Sequence, residues 1–588
     1  MAERIDPDLR DEVEAWIADD PDPKTAAELS TMLRENDLLA IKKCFNGLLE
    51  FGTAGLRGRV GPGPSQMNRA LVSRTAAGIA RYMKERGLNS VVIGRDARHG
   101  SEQFARDSAE IFAGAGMEVF LLPRPLPTPV LAFALRDLNL DVGVMVTASH
   151  NPPEDNGYKV YLGGTVDGIR YEGSQIIAPT DKEIFHEIKS IASIKNLPRG
   201  EKWVTLDESV IRRYVHSVAR VATKAREITV VYTALHGVGT ETLRSVFHAA
   251  GFAEPILVSE QADPDPDFPT VAFPNPEEKG AIDLALERAR DFGADLVIAN
   301  DPDADRCAAA IKDDHSGSWR MLRGDEVGIL LGNHIAESLA PEARSKAIFA
   351  NSIVSSSGLS KLAEHFGLRF TETLTGFKWL AKVEGLTFGY EEALGYCVDS
   401  RSVNDKDGIS AALMITDLAA RLKEEGSSIS EYLDRIWQRI GYHATKQVSL
   451  RFDDLSLIPP LMDSLRANPP QKIEIPGSGE MKALSYRFHS LDDLARPSNE
   501  LPPTEGIRLW FEREGSSHSN DKIRMIIRPS GTEPKLKCYI EVVGEAKQFE
   551  AIERVAKASG DFISQFLAQS VTQSVTQSTT QSLTRPLG

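Results

Sequence analysis

Three carboxylates alternate along one short stretch of the sequence, at Asp301, Asp303 and Asp305. The stretch follows an apolar run at residues 296–299, so we predict a loop at the end of a buried strand. Hard divalent cations prefer oxygen ligands such as carboxylates. The spacing therefore predicts a site for one such cation.

Other loops that bind metals or phosphates fit this stretch poorly. A calcium loop of the EF-hand kind needs Gly at its sixth position and Glu at its twelfth, where this chain has Arg306 and Lys312. A phosphatase of the haloacid dehalogenase type would place Thr or Val where Asp305 stands. A pair of metal-binding aspartates of the glycosyltransferase kind is an alternative interpretation that this segment alone leaves in place. A second acidic run, at residues 263–267, lacks the preceding strand and the following Arg, so we interpret it as a turn-rich surface loop.

A serine at the end of another apolar run is the candidate nucleophile. Residues 142–146 are apolar and lead into Thr-Ala-Ser-His-Asn-Pro at residues 147–152. Ser149, exposed at a strand end beside a His and before a Pro-enforced turn, has the setting of a nucleophile. Taken alone, the segment favours a simpler interpretation, a Ser that caps the next turn or helix. Lys159, ten residues on, brings a cation that could neutralise a phosphate or move a proton.

Residues 528–534 carry the groups that hold a phosphate. The segment reads Arg-Pro-Ser-Gly-Thr-Glu-Pro and offers a planar guanidinium, two hydroxyls and backbone N–H groups. Lys535 and Lys537 add positive charge nearby. By itself the segment would be read as a surface turn. The chain has no G-x-x-x-x-G-K-[ST] motif, so ATP bound in a Walker-type loop is not supported.

Two further segments have the mixture of residues expected of a sugar site. Residues 375–379 combine small, cationic and aromatic side chains, and residues 389–396 place Glu391 and Glu392 between glycines. Paired carboxylates can accept hydrogen bonds from vicinal hydroxyls, although an ordinary solvated pair would look the same. Residues 405–408, Asp-Lys-Asp-Gly, follow shortly afterwards.

Short apolar runs alternate with helical patterns along the chain, and the candidate segments follow such runs. Strand, polar loop and helix repeated in this way predict α/β units with largely parallel sheets. Ligands of open α/β sheets bind at the carboxyl ends of the strands, where these loops would lie. Residues from about 7 to 48 predict a helical prelude, and the pattern restarts near residues 225, 325 and 450. The apolar runs are residues 91–93, 119–122, 142–146, 228–232 and 296–299.

Composition narrows the class of partner. With 68 basic and 84 acidic residues among 588, the formal charge is 68 − 84 = −16, which disfavours a nucleic-acid or anionic membrane partner. The four cysteines form no CxxC pair, so a reducing compartment fits. The N-terminal stretch lacks the apolar core of a signal peptide, and no run reaches the roughly 18 apolar residues of a membrane span. We expect a cytoplasmic protein that acts on a small molecule, with an oligomeric state that the sequence does not reveal.

Taken in order, five of these motifs resemble the α-D-phosphohexomutase family, which includes phosphoglucomutases and phosphomannomutases. The matching motifs span about residues 40 to 545. Residues 388–393 and 405–408 make the chain most similar to the phosphoglucomutase-2-like branch, which includes phosphopentomutases. The five motifs are residues 51–58, 147–152, 301–306, 391–392 and 528–532.

The resemblance implies an α/β fold of four domains around a central cleft, three with mixed sheets and a smaller C-terminal α+β domain. Residues 569–588 repeat Ser-Val-Thr-Gln or close variants every four residues. Such a segment cannot bury an apolar face, so we predict a disordered low-complexity tail without chemistry. The predicted domains are residues 1–222 with the phosphoserine loop, 223–322 with the metal-binding loop, 323–446 with the sugar-recognition loop and 447–568 with the phosphate-binding loop.

The resemblance also implies roles for individual residues. Ser149 would be phosphorylated, and the chain would interconvert glucose 1-phosphate and glucose 6-phosphate through a bisphosphorylated sugar. Glucose 1,6-bisphosphate would be the activator and intermediate, and one Mg²⁺ per active site would bind Asp301, Asp303, Asp305 and the phosphate on Ser149. The catalytic residues would be Ser149, Lys159, Arg57 and His150. The substrate-binding residues would be Arg306, Lys378, Glu391, Lys406, Arg528, Ser530, Gly531, Thr532 and Lys537.

One departure from the family pattern leaves the sugar open. Many phosphoglucomutases have Ser two positions after the first Glu of the sugar loop, where this chain has Ala393. Mannose phosphate or a pentose phosphate is therefore an alternative substrate within the family. A metal-dependent sugar phosphatase is a more distant alternative, and a calcium- or sugar-binding module would need no nucleophile.

Overall fold

The computed structural model describes residues 5–52, 55–224, 226–452, 455–477, 482–497, 501–515, 521–530 and 535–583, with side chains as far as residue 570. These residues form two compact units. The first unit contains the described residues up to Leu331 together with Gly376–Ile429. The second contains Gly332–Thr375 together with the described residues from Ser430 onward.

The chain up to residue 222 begins with helices that start at side-chain caps. Asp6, Asp22, Asp37 and Asn68 each accept a hydrogen bond from a backbone N–H of the first turn. The helices are α1 (Pro7–Asp19), α2 (Pro23–Glu35), α3 (Leu38–Cys44), α4 (Arg69–Glu85), α5 (Ser101–Gly114), α6 (Thr128–Asp137), α7 (Thr180–Ser190) and α8 (Ser209–Ala219). The strands are β1 (Leu56–Arg59), β2 (Ser90–Arg95), β3 (Glu118–Leu121), β4 (Val142–Val146), β5 (Asp155–Leu162), β6 (Thr165–Val166), β7 (Ile169–Arg170), β8 (Ser174–Gln175) and β9 (Val204–Thr205).

The helices α1–α3 confirm the predicted helical prelude, and they enclose a small core of their own around Val13, Leu29 and Ile41. The strands form a seven-stranded sheet in the order β1-β5-β4-β2-β3-β9, with β8 beside β5. Strands β4, β2, β3 and β9 are parallel, whereas β5 is antiparallel to β4 and to β1. Because β4 and β5 are antiparallel neighbours, residues 147–154 form the loop that joins their adjacent ends.

Five strands between Val230 and Met321 form a second mixed sheet, in the order β11-β10-β12-β13-β14. Strands β10, β11 and β12 are parallel, and β13 runs antiparallel to β12 with Asn300 opposite Cys307. The predicted aspartate loop, residues 301–306, is therefore the connection of a β-hairpin. The elements are α9 (Gly239–Ala250), α10 (Ser259–Ala262), α11 (Asp283–Phe292), β10 (Val230–Thr233), β11 (Ile256–Leu257), β12 (Leu296–Asn300), β13 (Cys307–Lys312) and β14 (Trp319–Met321).

Residues 323–441 contribute to both units. Strands β15 and β16 are parallel, and β17 and β18 form an antiparallel hairpin with Glu391 opposite Gly395. The elements are α12 (Gly324–Ser338), α13 (Pro341–Arg344), α14 (Gly358–Phe366), α15 (Phe377–Leu380), α16 (Gly408–Glu424), α17 (Ile429–Ile440), β15 (Ile348–Ser352), β16 (Arg369–Thr373), β17 (Leu386–Glu391) and β18 (Gly395–Cys397).

The last part of the second unit is a six-stranded antiparallel sheet, in the order β19-β24-β23-β22-β21-β20. Buried residues of α19, among them Ile552, Val555 and Ile563, belong to its core. The elements are β19 (Tyr442–Arg451), α18 (Ile458–Ala467), β20 (Lys472–Ile475), β21 (Leu484–Asp493), β22 (Ile507–Arg513), β23 (Lys522–Pro529), β24 (Lys535–Gly544) and α19 (Phe549–Leu583).

The low-complexity segment from residue 569, for which we predict a disordered tail, begins within helix α19. The backbone of α19 continues without interruption to Leu583. Between Gly560 and Leu583 the sequence has neither Gly nor Pro, so nothing in it stops a helix that has already started. Among the described residues, no helix combines the length and the apolar character needed to cross a bilayer.

Candidate active site

Ser149 lies in the loop after β4 and is strongly constrained. Its φ of 52° is in the left-handed region, and its backbone N–H donates to Thr147 Oγ1 at 2.9 Å. The residue is only 1% exposed, so the expectation of an exposed serine is wrong. The loop after β12 covers it: Ser149 Oγ donates a 2.7 Å hydrogen bond to Asp301 Oδ2. The serine therefore belongs to the same site as the aspartates.

The side chain of one arginine binds the backbone of the serine loop. Arg98 donates to the carbonyl oxygens of Ser149 and Asn151 at 2.6 Å, of Pro152 at 2.7 Å and of Asp155 at 3.1 Å. The side chain is buried and lies 3.4 Å from the buried carboxylate of Asp96. A single planar guanidinium with five donors can satisfy this many acceptors, which an ammonium cannot do.

The three aspartates form the cluster that their spacing predicts. Their carboxylate ligand atoms lie within 4.8 Å of one another, and all three residues are buried. Asp303 Oδ1 and Asp305 Oδ1 are buried and find no hydrogen-bond donor in the described part of the chain. Buried oxygens without donors are costly unless a cation binds them, so the donor set fits a hard divalent ion.

Two lysines and a threonine occupy the other sides of these carboxylates. Lys159 Nζ lies 2.6 Å from Asp303 Oδ2 and 2.8 Å from Asp305 Oδ2. Lys406 Nζ is 3.3 Å from Asp305 Oδ2, and Thr128 Oγ1 donates to Asp303 Oδ2 at 2.5 Å. The Oδ2 atoms of Asp303 and Asp305 are therefore neutralised by protein groups, whereas the Oδ1 atoms of these two residues remain available.

The same contacts set the protonation of the cluster. Burial raises the pKa of Asp301 well above its usual value, and the neighbouring carboxylates of Asp303 and Asp305 act in the same direction. Burial also acts to raise the pKa of Asp305, but Lys159 and Lys406 lower it more, so the net shift is downward. Additional positive charge placed beside Asp301 would favour its ionised form.

Three further predicted residues lie beside Ser149 or the aspartate loop. His150 Nδ1 lies 3.3 Å from Ser149 Oγ, and burial together with Arg306 and Arg57 holds the imidazole pKa well below 6.5. The imidazole is therefore neutral near pH 7. Arg57 lies on β1, its Nε buried and without a partner in the described residues. Arg306 donates from Nη1 to the carbonyl oxygen of Ala393 at 2.8 Å, and its Nε is 3.9 Å from both Asp301 Oδ2 and Asp305 Oδ1.

The predicted sugar segments meet near Glu391. The backbone N–H of Gly376 donates to Glu391 Oε1 at 2.6 Å, which leaves its second oxygen for other donors. Lys378 Nζ is 3.8 Å from an Asp181 oxygen and 3.5 Å from the Gly52 carbonyl oxygen. Glycine is required at position 408, since a Cβ there would lie 2.3 Å from the Arg306 carbonyl oxygen. The segment with Lys406 thereby approaches the aspartate loop.

The predicted phosphate clamp belongs to the second unit. Arg528 lies on β23 opposite Lys537 of β24, and the backbone N–H of Ser530 donates to the Lys535 carbonyl oxygen at 2.8 Å. Gly531 and Thr532 lie outside the described residues. Ser149, Arg57, His150, Lys159, Lys378, Glu391, Lys406 and the aspartate loop all belong to the first unit.

Sequence reasoning missed several residues that shape this site. Thr128 follows the turn-rich stretch after β3, and Arg98 follows the polar residues at the end of β2. Their position just after a strand was the one sequence feature that could have indicated a place in the site. The acidic run at residues 263–267 is a loop, as expected, and Asp267 Oδ1 lies 2.7 Å from His99 Nε2. Gln175 donates to Asp405 at 2.8 Å, and Asp405 lies 3.5 Å from Lys406 Nζ. That contact joins residues 230 positions apart, so no local sequence pattern indicates it.

Four family models match consecutive parts of the chain. They describe the α/β/α domains I, II and III of phosphoglucomutase/phosphomannomutase, at residues 48–195, 212–317 and 323–440, and the C-terminal domain of the same family, at residues 490–558. This confirms the predicted fold class and the number of domains.

Named relatives agree with these matches. A "Probable phosphomannomutase" of Haemophilus influenzae is 46% identical over 82% of this chain and 93% of its own length. A human "Phosphopentomutase" is 35% identical over 91% of each chain, and a "Phosphoglucomutase" of Staphylococcus haemolyticus is 34% identical over 85% of this chain and 91% of its own. These names differ in the sugar and share the mutase reaction. The chain therefore belongs to the phosphoglucomutase/phosphomannomutase family.

Proposed function

We propose that this protein interconverts glucose 1-phosphate and glucose 6-phosphate through phosphorylated Ser149 and a bisphosphorylated sugar. The observation that carries the proposal is the 2.7 Å contact between Ser149 Oγ and a buried three-aspartate cluster. A hydroxyl in this position can carry a phosphoryl group whose charge the site is built to balance. The four free, buried cysteines fit the cytoplasm as its location.

The metal of the proposed site is Mg²⁺, one ion per active site. Asp301, Asp303 and Asp305 would hold it together with a phosphate oxygen on Ser149, and it would neutralise negative charge during phosphoryl transfer. Lys159 and Lys406 supply positive charge of their own from the opposite side of the carboxylates. Arg57 adds to the same region a guanidinium whose Nε is buried.

In the first half-reaction the free hydroxyl of the sugar monophosphate attacks the phosphorus on Ser149. The new bond to the sugar oxygen forms as the bond to Ser149 Oγ breaks. The sugar hydroxyl gives up its proton as it attacks, and Ser149 Oγ takes one up as it leaves, so no net proton is released. Neutral His150 is our candidate for passing a proton to the serine, because its Nδ1 lies 3.3 Å from Oγ, and Lys159 is the candidate for handling the proton of the sugar hydroxyl. The second half-reaction returns the phosphoryl group from the other end of the bisphosphate to Ser149.

The remaining predicted residues bind the substrate. Glu391 would accept hydrogen bonds from sugar hydroxyls with its free oxygen, and Arg306, Lys378 and Lys406 would contact the substrate beside it. The phosphate that is not transferred would be held by Arg528, Ser530, Gly531, Thr532 and Lys537. A clamp that accepts either phosphate serves both orientations of glucose 1,6-bisphosphate, which would act as activator and intermediate.

Mannose phosphate and pentose phosphate are the alternative substrates. Ala393 favours them, because it cannot provide the hydrogen bond that a Ser at this position would give to the sugar. The names of the relatives, a phosphomannomutase and a phosphopentomutase among them, are compatible with either. The ratio of kcat/KM for glucose 1-phosphate, mannose 1-phosphate and ribose 1-phosphate decides between the three.

The decisive experiment replaces the nucleophile. The Ser149→Ala enzyme, given glucose 1-phosphate, Mg²⁺ and glucose 1,6-bisphosphate, should form no glucose 6-phosphate. Ser30→Ala, at an exposed serine of α2, is the matched control and should turn over like the wild type. Turnover of Ser149→Ala near the wild-type rate would refute the proposal, and inorganic phosphate as the main product of the wild type would indicate a phosphatase instead. Intact-mass spectrometry should find one phosphate on the wild type and none on Ser149→Ala.

A further inference from the structure

The second unit contains a cavity of about 210 Å³ between helix α19 and one end of strands β21, β22, β23 and β24 of the six-stranded sheet. The volume corresponds to roughly seven water molecules, which is below the range of drug-sized ligands. The part of a ligand that this cavity encloses is therefore limited to a charged group and a few carbon atoms. The residues that matter for its chemistry are Lys482, Tyr486, Arg513, Asp521, Ile552 and Arg554.

The lining carries an excess of positive charge. Its three cations, Lys482, Arg513 and Arg554, face one carboxylate, that of Asp521. Arg513 Nη1 already pairs with Asp521 Oδ2 at 3.2 Å. Arg554 donates from Nη2 to the Lys482 carbonyl oxygen at 3.1 Å, but its Nε and Nη1 are buried and have no acceptor within the described chain. Buried guanidinium N–H groups without acceptors are costly, so an anion beside them would be stabilised.

The other walls of the cavity are aromatic and apolar. Tyr486 is buried between the charged groups, and burial raises the pKa of its hydroxyl to about 12, so the group stays protonated and can donate. Ile552 and Val555 of α19 are buried along the opposite wall. A short carbon frame would pack against these residues while its charged end meets Arg554.

The cavity is separate from the predicted phosphate clamp. Asp521 directly precedes β23, whereas Arg528 lies near the other end of this strand. Seven residues of extended strand separate the two, which is roughly 20 Å or more. The two places cannot hold the same phosphate.

We propose that this cavity binds a small organic phosphate, with the phosphate on Arg554 and the carbon frame between Tyr486 and Ile552. The site is distinct from the proposed catalytic machinery, so basal mutase activity does not depend on it.

Isothermal titration of the full-length chain with glycerol 3-phosphate tests the proposal, with inorganic phosphate and glycerol as comparison ligands. Arg554→Met, which keeps the apolar stem of the side chain, should weaken the binding of glycerol 3-phosphate by roughly tenfold or more. Arg554→Ala is the second variant, and thermal unfolding checks that both fold. Lys557→Ala removes an exposed cation of the same helix and should bind like the wild type. Arg528→Ala, in the predicted clamp, should keep the Arg554-dependent binding.

Each outcome bears on a specific part of the proposal. No heat of binding in the wild type would overturn the site. Affinity for glycerol 3-phosphate equal to that of the wild type in both folded Arg554 variants would overturn it as well. Inorganic phosphate binding as tightly as glycerol 3-phosphate would overturn the assignment to an organic ligand. Binding that disappears in Arg528→Ala and persists in the Arg554 variants would move the ligand to the clamp. Loss of turnover in Ser149→Ala concerns only the proposed function. The mutase proposal and the cavity proposal can therefore each fail without the other.

Discussion

Arg98 should control the reactivity of Ser149 although it has no contact with the serine side chain. Four carbonyl oxygens of the loop, at residues 149 to 155, depend on this one guanidinium. Ser149 itself has a φ of 52°, a conformation that costs a non-glycine residue roughly 1–2 kcal/mol. The loop retains this geometry only while Arg98 donates hydrogen bonds to its carbonyl oxygens.

The size of the effect follows from these contacts. Hydrogen bonds to a charged donor contribute about 1.5–3 kcal/mol each, but four bonds to one group are not additive. Removing one partner of a buried ion pair costs about 3–5 kcal/mol, which applies here because Asp96 would lose its partner. If roughly 3 kcal/mol is needed to restore the loop before each turnover, kcat falls about 100-fold.

The assay compares Arg98→Met, Arg98→Lys and Arg95→Met. We expect kcat to fall about 100-fold in Arg98→Met and roughly tenfold in Arg98→Lys, because the lysine keeps the charge and loses the planar fork. KM should change little, since the contacts of Arg98 are with the serine loop, Asp96 and the Phe268 ring rather than with the predicted substrate-binding residues. Arg95 is a near neighbour whose carboxylate partner, Glu102, has a side chain 82% exposed, so Arg95→Met should stay close to wild type. A folded Arg98→Met enzyme with kcat within threefold of wild type would refute the reasoning.

Three further predictions concern the metal, the pH dependence of stability and the sugar. EDTA should abolish turnover and Mg²⁺ should restore it. Asp305→Asn should raise the Mg²⁺ concentration for half-maximal rate by roughly tenfold or more. Asp267→Asn, in the exposed acidic run, is the control, and an equal effect of the two substitutions would contradict the metal site. Burial raises the pKa of Asp407 from 3.8 to about 6, so the folded state holds a proton that the unfolded state releases between these values. The free energy of unfolding should therefore fall by roughly 3 kcal/mol as the pH rises from about 4 to about 6. Asp407→Asn should remove this pH dependence from the thermal unfolding midpoints. The same pH dependence in the wild type and in Asp407→Asn would argue against the role of Asp407. Ala393→Ser should raise kcat/KM for glucose 1-phosphate relative to ribose 1-phosphate by roughly two- to tenfold, as one added hydrogen bond implies, and an unchanged ratio would exclude position 393 from sugar selection.

Much of the first unit could be predicted from local sequence. The aspartate loop and the serine loop both follow apolar runs, because buried strands need apolar residues and polar segments must leave the sheet at their ends. The helical prelude also followed from periodicity together with acidic caps. The low apolar content of the tail shows only that this segment has no core to enter. The continuation of α19 into it could not be predicted from composition, because a helix that has started continues until the sequence supplies a stop signal.

The sequence by itself determined the chemistry that each loop can offer: a hydroxyl beside an imidazole, three alternating carboxylates, and cations at Lys159 and Lys406. Only the tertiary structure decided which of them meet. The 2.7 Å contact from Ser149 to Asp301 joins loops of two different sheets, and Thr128 reaches Asp303 across 175 positions. Arg98 is decisive in the same way, since its four acceptors are backbone atoms that carry no side-chain signature. Such contacts depend on how the sheets pack, and packing is a property of the whole fold.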